Sequence, residues 1–139
     1  MRQHSIKTTY LIHKVLVSDE ELMNMISENH VYLLIPEQDM DFPYAIIRRT
    51  GIRSESGNKD FVGDLVGFSI KIYSDEYDEA MEIADKIRFL IERHVIEDPD
   101  LQIRLDNIKM TGSVEDWQYE SFMQEISFEA NVSIPKSDS

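Results

Sequence analysis

Apolar residues near the start of the chain recur at helical spacing. Seven of them continue one helical face across a polar break: Leu11, Ile12, Val15, Leu16, Leu22, Met25 and Ile26. Ser18 and Glu21 have the spacing of a capping box, in which the hydroxyl and the carboxylate bond free backbone N–H groups at a helix start. The pattern predicts two short helices that break near Ser18 and end before Asn29.

Two segments in the middle of the chain alternate between apolar and polar residues, as strands do. The first is residues 44–52 and the second is residues 65–73, with a polar, glycine-containing connection between them. In the second strand the apolar face consists of Val66, Phe68, Ile70 and Ile72, and the other face of Gly67, Ser69, Lys71 and Tyr73. Residues 31–35 are also β-prone, but Pro36 and Pro43 lack a ladder donor and predict an edge segment that leads into a loop.

The last third of the chain predicts a second pair of strands. Residues 101–110 alternate, lose phase near Asn107 and regain it at Ile108, which is the pattern of a β-bulge. A polar loop is predicted over residues 111–120. Residues 121–134 then alternate most regularly, with apolar side chains at even positions and mostly polar ones at odd positions. One face of this strand is therefore expected to be buried and the other solvated.

The helix predicted between the two strand pairs begins with a run of carboxylates in "YSDEYDEAMEIAD". Its apolar stripe consists of Ala80, Ile83, Ala84, Ile87, Leu90 and Ile91. Its acidic face consists of Asp75, Glu76, Asp78, Glu79 and Glu82. Ser74 or Asp75 can cap the helix, and carboxylates in a first turn interact favourably with the helix dipole. The run has neither the glycine of a calcium loop nor a histidine at a ligand offset, so it predicts a solvated helix start, with a partner-binding acidic patch as the alternative.

The order α-α-β-β-α-β-β predicts an α+β fold, with a single antiparallel β-sheet of about four strands and helices packed on one face. The chain has 139 residues, a length typical of one domain. We therefore expect a single domain over residues 1–139, with an ordered core of about residues 8–134 and flexible termini.

The charge of the chain narrows the classes of partner. The net charge is −13, and it is uneven: residues 1–70 contain seven Lys and Arg against ten Asp and Glu, whereas residues 71–139 contain seven against seventeen. Specific nucleic-acid binding is not expected, because it needs a basic surface that neutralises phosphates. The absence of cysteine excludes disulfides and thiolate metal sites. No apolar run is long enough for a bilayer and no signal-peptide pattern is present, so we expect a soluble intracellular protein without a membrane partner.

Few residues indicate chemistry. The four histidines are scattered over different predicted elements, and no nucleophile elbow, phosphate-binding glycine loop or HExxH motif accompanies them. The sequence therefore predicts neither an enzyme nor a cofactor or metal site. A hydrolase whose catalytic residues are distant in sequence is the remaining enzymatic alternative.

Two groups of residues are candidate subunit or partner contacts. The basic cluster consists of Arg48, Arg49, Arg53 and Lys59. Arg48 and Arg49 are adjacent on a strand and must point to opposite faces, so at least one is expected to be an ordinary solvent-side charge. The alternative is that these side chains contact acidic surface on a neighbouring copy of the chain. Trp117 and Tyr119 lie in the predicted polar loop, where Trp117 either covers the end of the core or anchors an interface.

Several stretches resemble one protein family. They are "VYLLIPEQDMDFPYAIIRR" after the two helices, "FSIKIYS" after a polar hairpin loop, "DEYDEAMEIADKIRFLIE" at the helix, and "FMQEISFEANVSI" in the last strand. The "PY" that opens the first strand and the junction from strand to helix, with Tyr73, Ser74, Ala80 and Ile83, carry most of the likeness. Over roughly residues 8–134 the chain resembles the tail-completion or tail-terminator (head–tail joining) proteins of long-tailed phages.

The resemblance implies a structural virion or prophage protein without enzymatic activity or cofactor. Such proteins form a ring, typically hexameric, that caps the tail tube and joins the tail to the head connector. The implied partners are other copies of the chain, the tail-tube protein and the head connector protein, and the implied locations are the host cytoplasm during assembly and then the virion tail. Residues 50–64 and 111–120 would contact neighbours, and the acidic helix face would repel DNA in the lumen. A small non-enzymatic α+β adaptor or assembly domain unrelated to phage tails is the alternative.

Overall fold

The computed structural model describes residues 4–34, 41–58 and 61–133. Its helices are the 3₁₀ helix Ser5–Lys7, α1 Thr8–Val17, α2 Glu20–Met25, the 3₁₀ helix Glu28–His30 and α3 Tyr77–Ile91. Its strands are β1 Val31–Leu33, β2 Tyr44–Asn58, β3 Phe61–Ser74, β4 Ile96–Asp98, β5 Ile103–Gln118 and β6 Ser121–Ser133. The four strands β2, β3, β5 and β6 are therefore much longer than the other two.

The strands form one mixed sheet in the order β1-β2-β3-β6-β5-β4. β1 pairs with β2 in parallel, through Val31 beside Ala45, and every other neighbouring pair of described strands is antiparallel. The predicted single antiparallel sheet of about four strands, with helices packed on one face, is therefore wrong. The described chain forms a six-stranded mixed sheet that curves into a half-barrel and carries few helices. β1 lies at the sheet edge within the β-prone segment predicted at residues 31–35, which the predicted order of elements does not count as a strand. The prediction missed β4 because its three residues are too few to show an alternating pattern.

The core lies between one face of the long strands and the helices. Phe68 of β3 and Phe128 of β6 stack at its centre, with ring centroids 5.4 Å apart. Around them pack the buried residues of α3, which are Ala80, Ile83, Ala84, Ile87 and Ile91. Leu11, Ile12 and Leu16 of α1 belong to the same cluster, so the helical stripes predicted from spacing do form the buried faces.

The helix starts differ in detail from the predicted caps. Asp19 caps α2, because its carboxylate accepts the Leu22 N–H at 2.9 Å. The Ser18 hydroxyl donates instead to the Lys14 carbonyl at 2.6 Å, at the end of α1, so the predicted Ser18 capping box is wrong. At α3, the Ser74 hydroxyl accepts the Glu76 N–H at 3.0 Å although Glu76 is the N-cap residue.

Both predicted loops between long strands turn out to be mostly strand. The ladder between β2 and β3 reaches Asn58 beside Phe61, and β5 continues to Gln118, which pairs with Ser121. Residues 111–118 show no apolar alternation because both faces of the strand are exposed in this part of β5. The sequence pattern therefore does not predict a strand there. The bulge predicted near Asn107 is confirmed, since the register between β5 and β6 shifts between Asp106 and Lys109.

Candidate interaction surface

The acidic run lies at the solvated start of α3. Asp75, Glu76, Asp78 and Glu82 are exposed, and Glu79 is half-buried and accepts the Ser74 hydroxyl at 2.7 Å. Within the described residues, no group of three or more His, Cys, Asp or Glu side chains could hold a metal ion. The arrangement is that of carboxylates placed favourably in a helix's first turn. The DNA-repelling role of these carboxylates, and the alternative of a partner-binding patch, stay predictions.

The described members of the basic cluster lie on β2, and their side chains are exposed. Arg48 is level with Ser69 and Arg49 with Phe68, so the two arginines occupy opposite faces of the sheet. The Arg49 guanidinium donates to the Ile6 carbonyl at 3.1 Å, which ties it to the N-terminal segment. Arg53 follows beyond a register shift, level with Leu65. Lys59 lies outside the described residues.

The predicted aromatic contacts lie at the tip of the hairpin formed by β5 and β6. Trp117 is on β5 and its ring meets Phe122 edge-on at 4.9 Å, yet 58% of its surface is exposed. Tyr119 is 81% exposed and forms a two-residue turn with Glu120. Trp117 therefore covers one edge of Phe122 and still presents most of its surface to solvent, as does Tyr119.

A second aromatic cluster lies on the sheet face opposite the core, and the sequence analysis missed it. Tyr44 and Tyr73 are neighbours on β2 and β3, and their rings stack 4.8 Å apart over Met123. Tyr73 lies on the predicted face of β3, opposite Ile72, but it is only 3% exposed because this cluster covers it. The available signal was the register, because pairing residue 44 with residue 73 brings two tyrosines side by side on one face.

The Tyr73 phenol predicts a loss of stability at alkaline pH. Burial raises the pKa of Tyr73 to about 12, with smaller contributions from Tyr44, Tyr119 and Glu125. The raised pKa stabilises the fold below the unfolded-state pKa of about 10, and this contribution disappears as pH rises through the folded-state value. We expect the free energy of unfolding to fall between pH 10 and pH 12, by at most about 1.4 kcal/mol per pH unit from this group.

Urea denaturation at several pH values, with Tyr73→Phe as the comparison, measures this dependence. The phenylalanine variant keeps the ring and removes the ionisable hydroxyl, whose bond to Gln118 is long at 3.4 Å. An equally steep alkaline loss in Tyr73→Phe would assign the effect to other groups.

The outer end of β5 carries carboxylates close to the acidic helix start. Glu115 accepts hydrogen bonds from the Gln124 amide at 2.8 Å and from the Tyr77 hydroxyl at 2.7 Å. These bonds hold the pKa of Glu115 below its usual range. Asp116 is exposed beside it and accepts the Trp117 N–H at 2.8 Å. The hairpin tip is therefore aromatic and negatively charged at neutral pH.

The polar groups of a groove beside α1 are used in packing. The groove has a volume of about 510 Å³ and lies between α1 and the segment that connects β4 to β5. Asp98 is bound there by the Lys14 ammonium at 2.6 Å and also accepts the N–H groups of Asp100 and Leu101. The Lys14 ammonium holds the pKa of Asp98 below its usual range. Asp98 thus joins α1 to the sheet and orders the turn that follows it.

Three histidines are also engaged with the backbone. A ring nitrogen of each lies within hydrogen-bond distance of a carbonyl: His13 of Val31, His30 of Pro43 and His94 of Phe89. A ring N–H can donate to a carbonyl oxygen, so these contacts are those of structural histidines. No helix among the described residues is long and apolar enough to span a membrane.

Comparison with known proteins identifies a family and shows a fold shared with solved structures. Residues 11–116 match the family model described as "Tail completion protein gp17". Among solved structures, a chain from "Virion of native gene transfer agent (GTA) particle" is similar, with a TM-score of 0.65 and 17% sequence identity, over 87% of this chain and 90% of that one. At this identity the likeness shows a shared fold. No curated protein matches the chain.

Proposed function

Because the chain belongs to the tail completion protein gp17 family, we propose that it forms a homo-oligomeric ring, a hexamer in the assembled state, that caps the phage tail tube and joins it to the head connector. Family membership makes it a structural protein of the phage tail. Under this proposal the protein has no enzymatic activity, assembles in the host cytoplasm and ends in the tail of the virion. The family match over residues 11–116 is the observation that carries the proposal.

The distribution of exposed groups supports a binding role. Exposed arginines lie on β2, whereas exposed aromatic rings and carboxylates lie at the tip of the β5–β6 hairpin. Tryptophan, tyrosine and arginine are the residues that most often dominate protein interfaces. Two chemically different surfaces on one chain suit a ring, because a head-to-tail interface joins different patches of neighbouring copies.

The strongly acidic composition also fits a ring through which DNA passes. The net charge is −13, and exposed carboxylates of the α3 start include Asp75, Glu76 and Asp78. A lumen lined with such groups repels phosphates and prevents DNA from binding to the ring wall. This part of the proposal fails if the α3 start faces outward in the assembled ring.

The capping activity is tested by electron microscopy of tube ends. We expect the purified chain, added to growing tubes of the tail-tube protein from the same particle, to appear as ring-shaped density at one tube end and to stop elongation there. Tubes grown without the chain provide the reference length distribution. Tubes that keep growing, with no density at either end, would contradict the proposal.

A further inference from the structure

Two long stretches at the edges of the sheet have no neighbouring strand among the described residues. β2 has 15 residues and pairs with β1 only at residues 45–47. β5 has 16 residues and pairs with β4 only at residues 103–105. We call residues 48–54 the β2 edge and residues 111–118 the β5 edge. Unpaired backbone groups of this kind are a template on which another strand can add.

The end of α3 covers β5 only up to the beginning of the β5 edge. The Arg93 N–H donates to the Ile108 carbonyl at 2.9 Å. The Met110 N–H donates to the Glu92 carboxylate at 3.0 Å. Beyond Met110, every residue of the β5 edge is exposed except Gln118, which is half-buried. The free part of β5 is therefore long enough to accept a strand.

The two edges carry opposite charges. The β2 edge contains Arg48, Arg49 and Arg53 and no carboxylate. The β5 edge contains Glu115 and Asp116 and no lysine or arginine. The bonds from Gln124 and Tyr77 keep Glu115 ionised. Like charges oppose pairing of two β2 edges or two β5 edges, whereas opposite charges favour pairing of a β2 edge with a β5 edge.

We propose that the β2 edge of one copy pairs with the β5 edge of the next, so that the sheet continues around the ring. This inference rests on the ring of the proposed function. β2 and β5 run in opposite directions within one chain, because each of the three pairings that link them is antiparallel. A rotation about an axis along the strands keeps these directions, so the joint is antiparallel like its neighbours. The interface joins different surfaces and repeats by one rotation, which is the requirement for a closed ring.

Cross-linking tests the interface, since the natural chain has no cysteine. We expect the double variant Thr50→Cys/Ser113→Cys, treated with a flexible bis-maleimide, to give a ladder of covalent oligomers. Both side chains are exposed, one on each edge. Each single variant alone should give no covalent oligomer, and an equal mixture of the two single variants should give covalent dimers at most. Each sample is examined free in solution and bound to tube ends.

The outcomes separate this interface from the capping function. Tube-bound rings without links between residues 50 and 113, links between two Thr50→Cys copies, or links from either edge to the tube protein would overturn the interface and leave capping intact. Protein that neither binds tubes nor cross-links would overturn both. A ladder, with or without tubes, supports the interface.

A charge exchange gives a second measurement that does not depend on the cross-linker's reach. We expect Arg48→Glu or Asp116→Lys alone to reduce ring formation about tenfold or more, and the double variant Arg48→Glu/Asp116→Lys to restore it. Glu20→Lys, which reverses an exposed charge on α2 outside both edges, is the matched control and should assemble normally. Equal loss in the double variant and in the single variants would overturn the pairing of these edges.

Discussion

Truncation of Phe128 to alanine is expected to lower the free energy of unfolding by about 3–5 kcal/mol. Phe128 is 1% exposed, and its ring stacks on Phe68 with the centroids 5.4 Å apart. The two rings occupy neighbouring positions on β3 and β6, where the core strands meet the helices. Removal of one ring leaves a cavity that the paired strands cannot close, so the transfer and cavity costs add. Urea denaturation followed by circular dichroism measures the change.

Phe89→Ala is the matched control for that measurement. Phe89 is 71% exposed on α3 and carries the Lys86 ammonium 5.5 Å from its ring centroid. An exposed phenylalanine with one cation contact contributes little, so we expect a change within about 0.5 kcal/mol. Similar losses in Phe128→Ala and Phe89→Ala would show that the inner face of β6 is assigned to the wrong side.

The parts of the fold that the sequence predicts correctly are those with long, regular patterns. In β6, the even positions Ile126, Phe128, Ala130 and Val132 are buried, as alternation predicts. The apolar stripe of α3 likewise gives its buried face. β4 escapes prediction because three residues contain too little alternation, and β1 is predicted only as a β-prone edge segment. Together these two strands change the sheet from four antiparallel strands to six mixed ones. The missing information is tertiary, since only the fold brings β1 beside β2.

Only some features of the candidate interaction surface could be predicted from the sequence. The solvated acidic helix start and the opposite orientations of Arg48 and Arg49 follow from helical and strand periodicity. The free edges cannot be predicted from periodicity, because a strand edge is free only where no other strand pairs with it. The extent of both free edges depends on how short β1 and β4 are. The burial of Tyr73 also required the register, since period-two alternation predicts the face of the sheet on which Tyr73 lies but not that Tyr44 covers it there.

The double substitution Tyr119→Asn/Glu120→Gly is expected to stabilise the fold and weaken capping. Tyr119 and Glu120 adopt positive φ angles of 54° and 58° in the two-residue turn between β5 and β6. Such turns favour Asn-Gly, because asparagine tolerates and glycine freely adopts this left-handed conformation. The rings of Tyr119 and Tyr73 lie 6.3 Å apart, and relief of strain at two positions exceeds the loss of this contact. We therefore expect a gain of about 1 kcal/mol in the free energy of unfolding. Urea denaturation measures this gain.

A tyrosine that occupies an unfavourable turn position at 81% exposure suggests a role outside the folding of the chain itself. If Tyr119 contacts a tail partner, the stabilised double variant should cap fewer tubes than the natural chain. Glu120→Gly alone keeps the tyrosine, so it should gain part of the stability and cap normally. Equal capping by the double variant and by Glu120→Gly would exclude Tyr119 as a contact. Unchanged stability would show that the turn is unstrained, whereas a more stable but less active double variant is the result expected when turn strain is retained for binding.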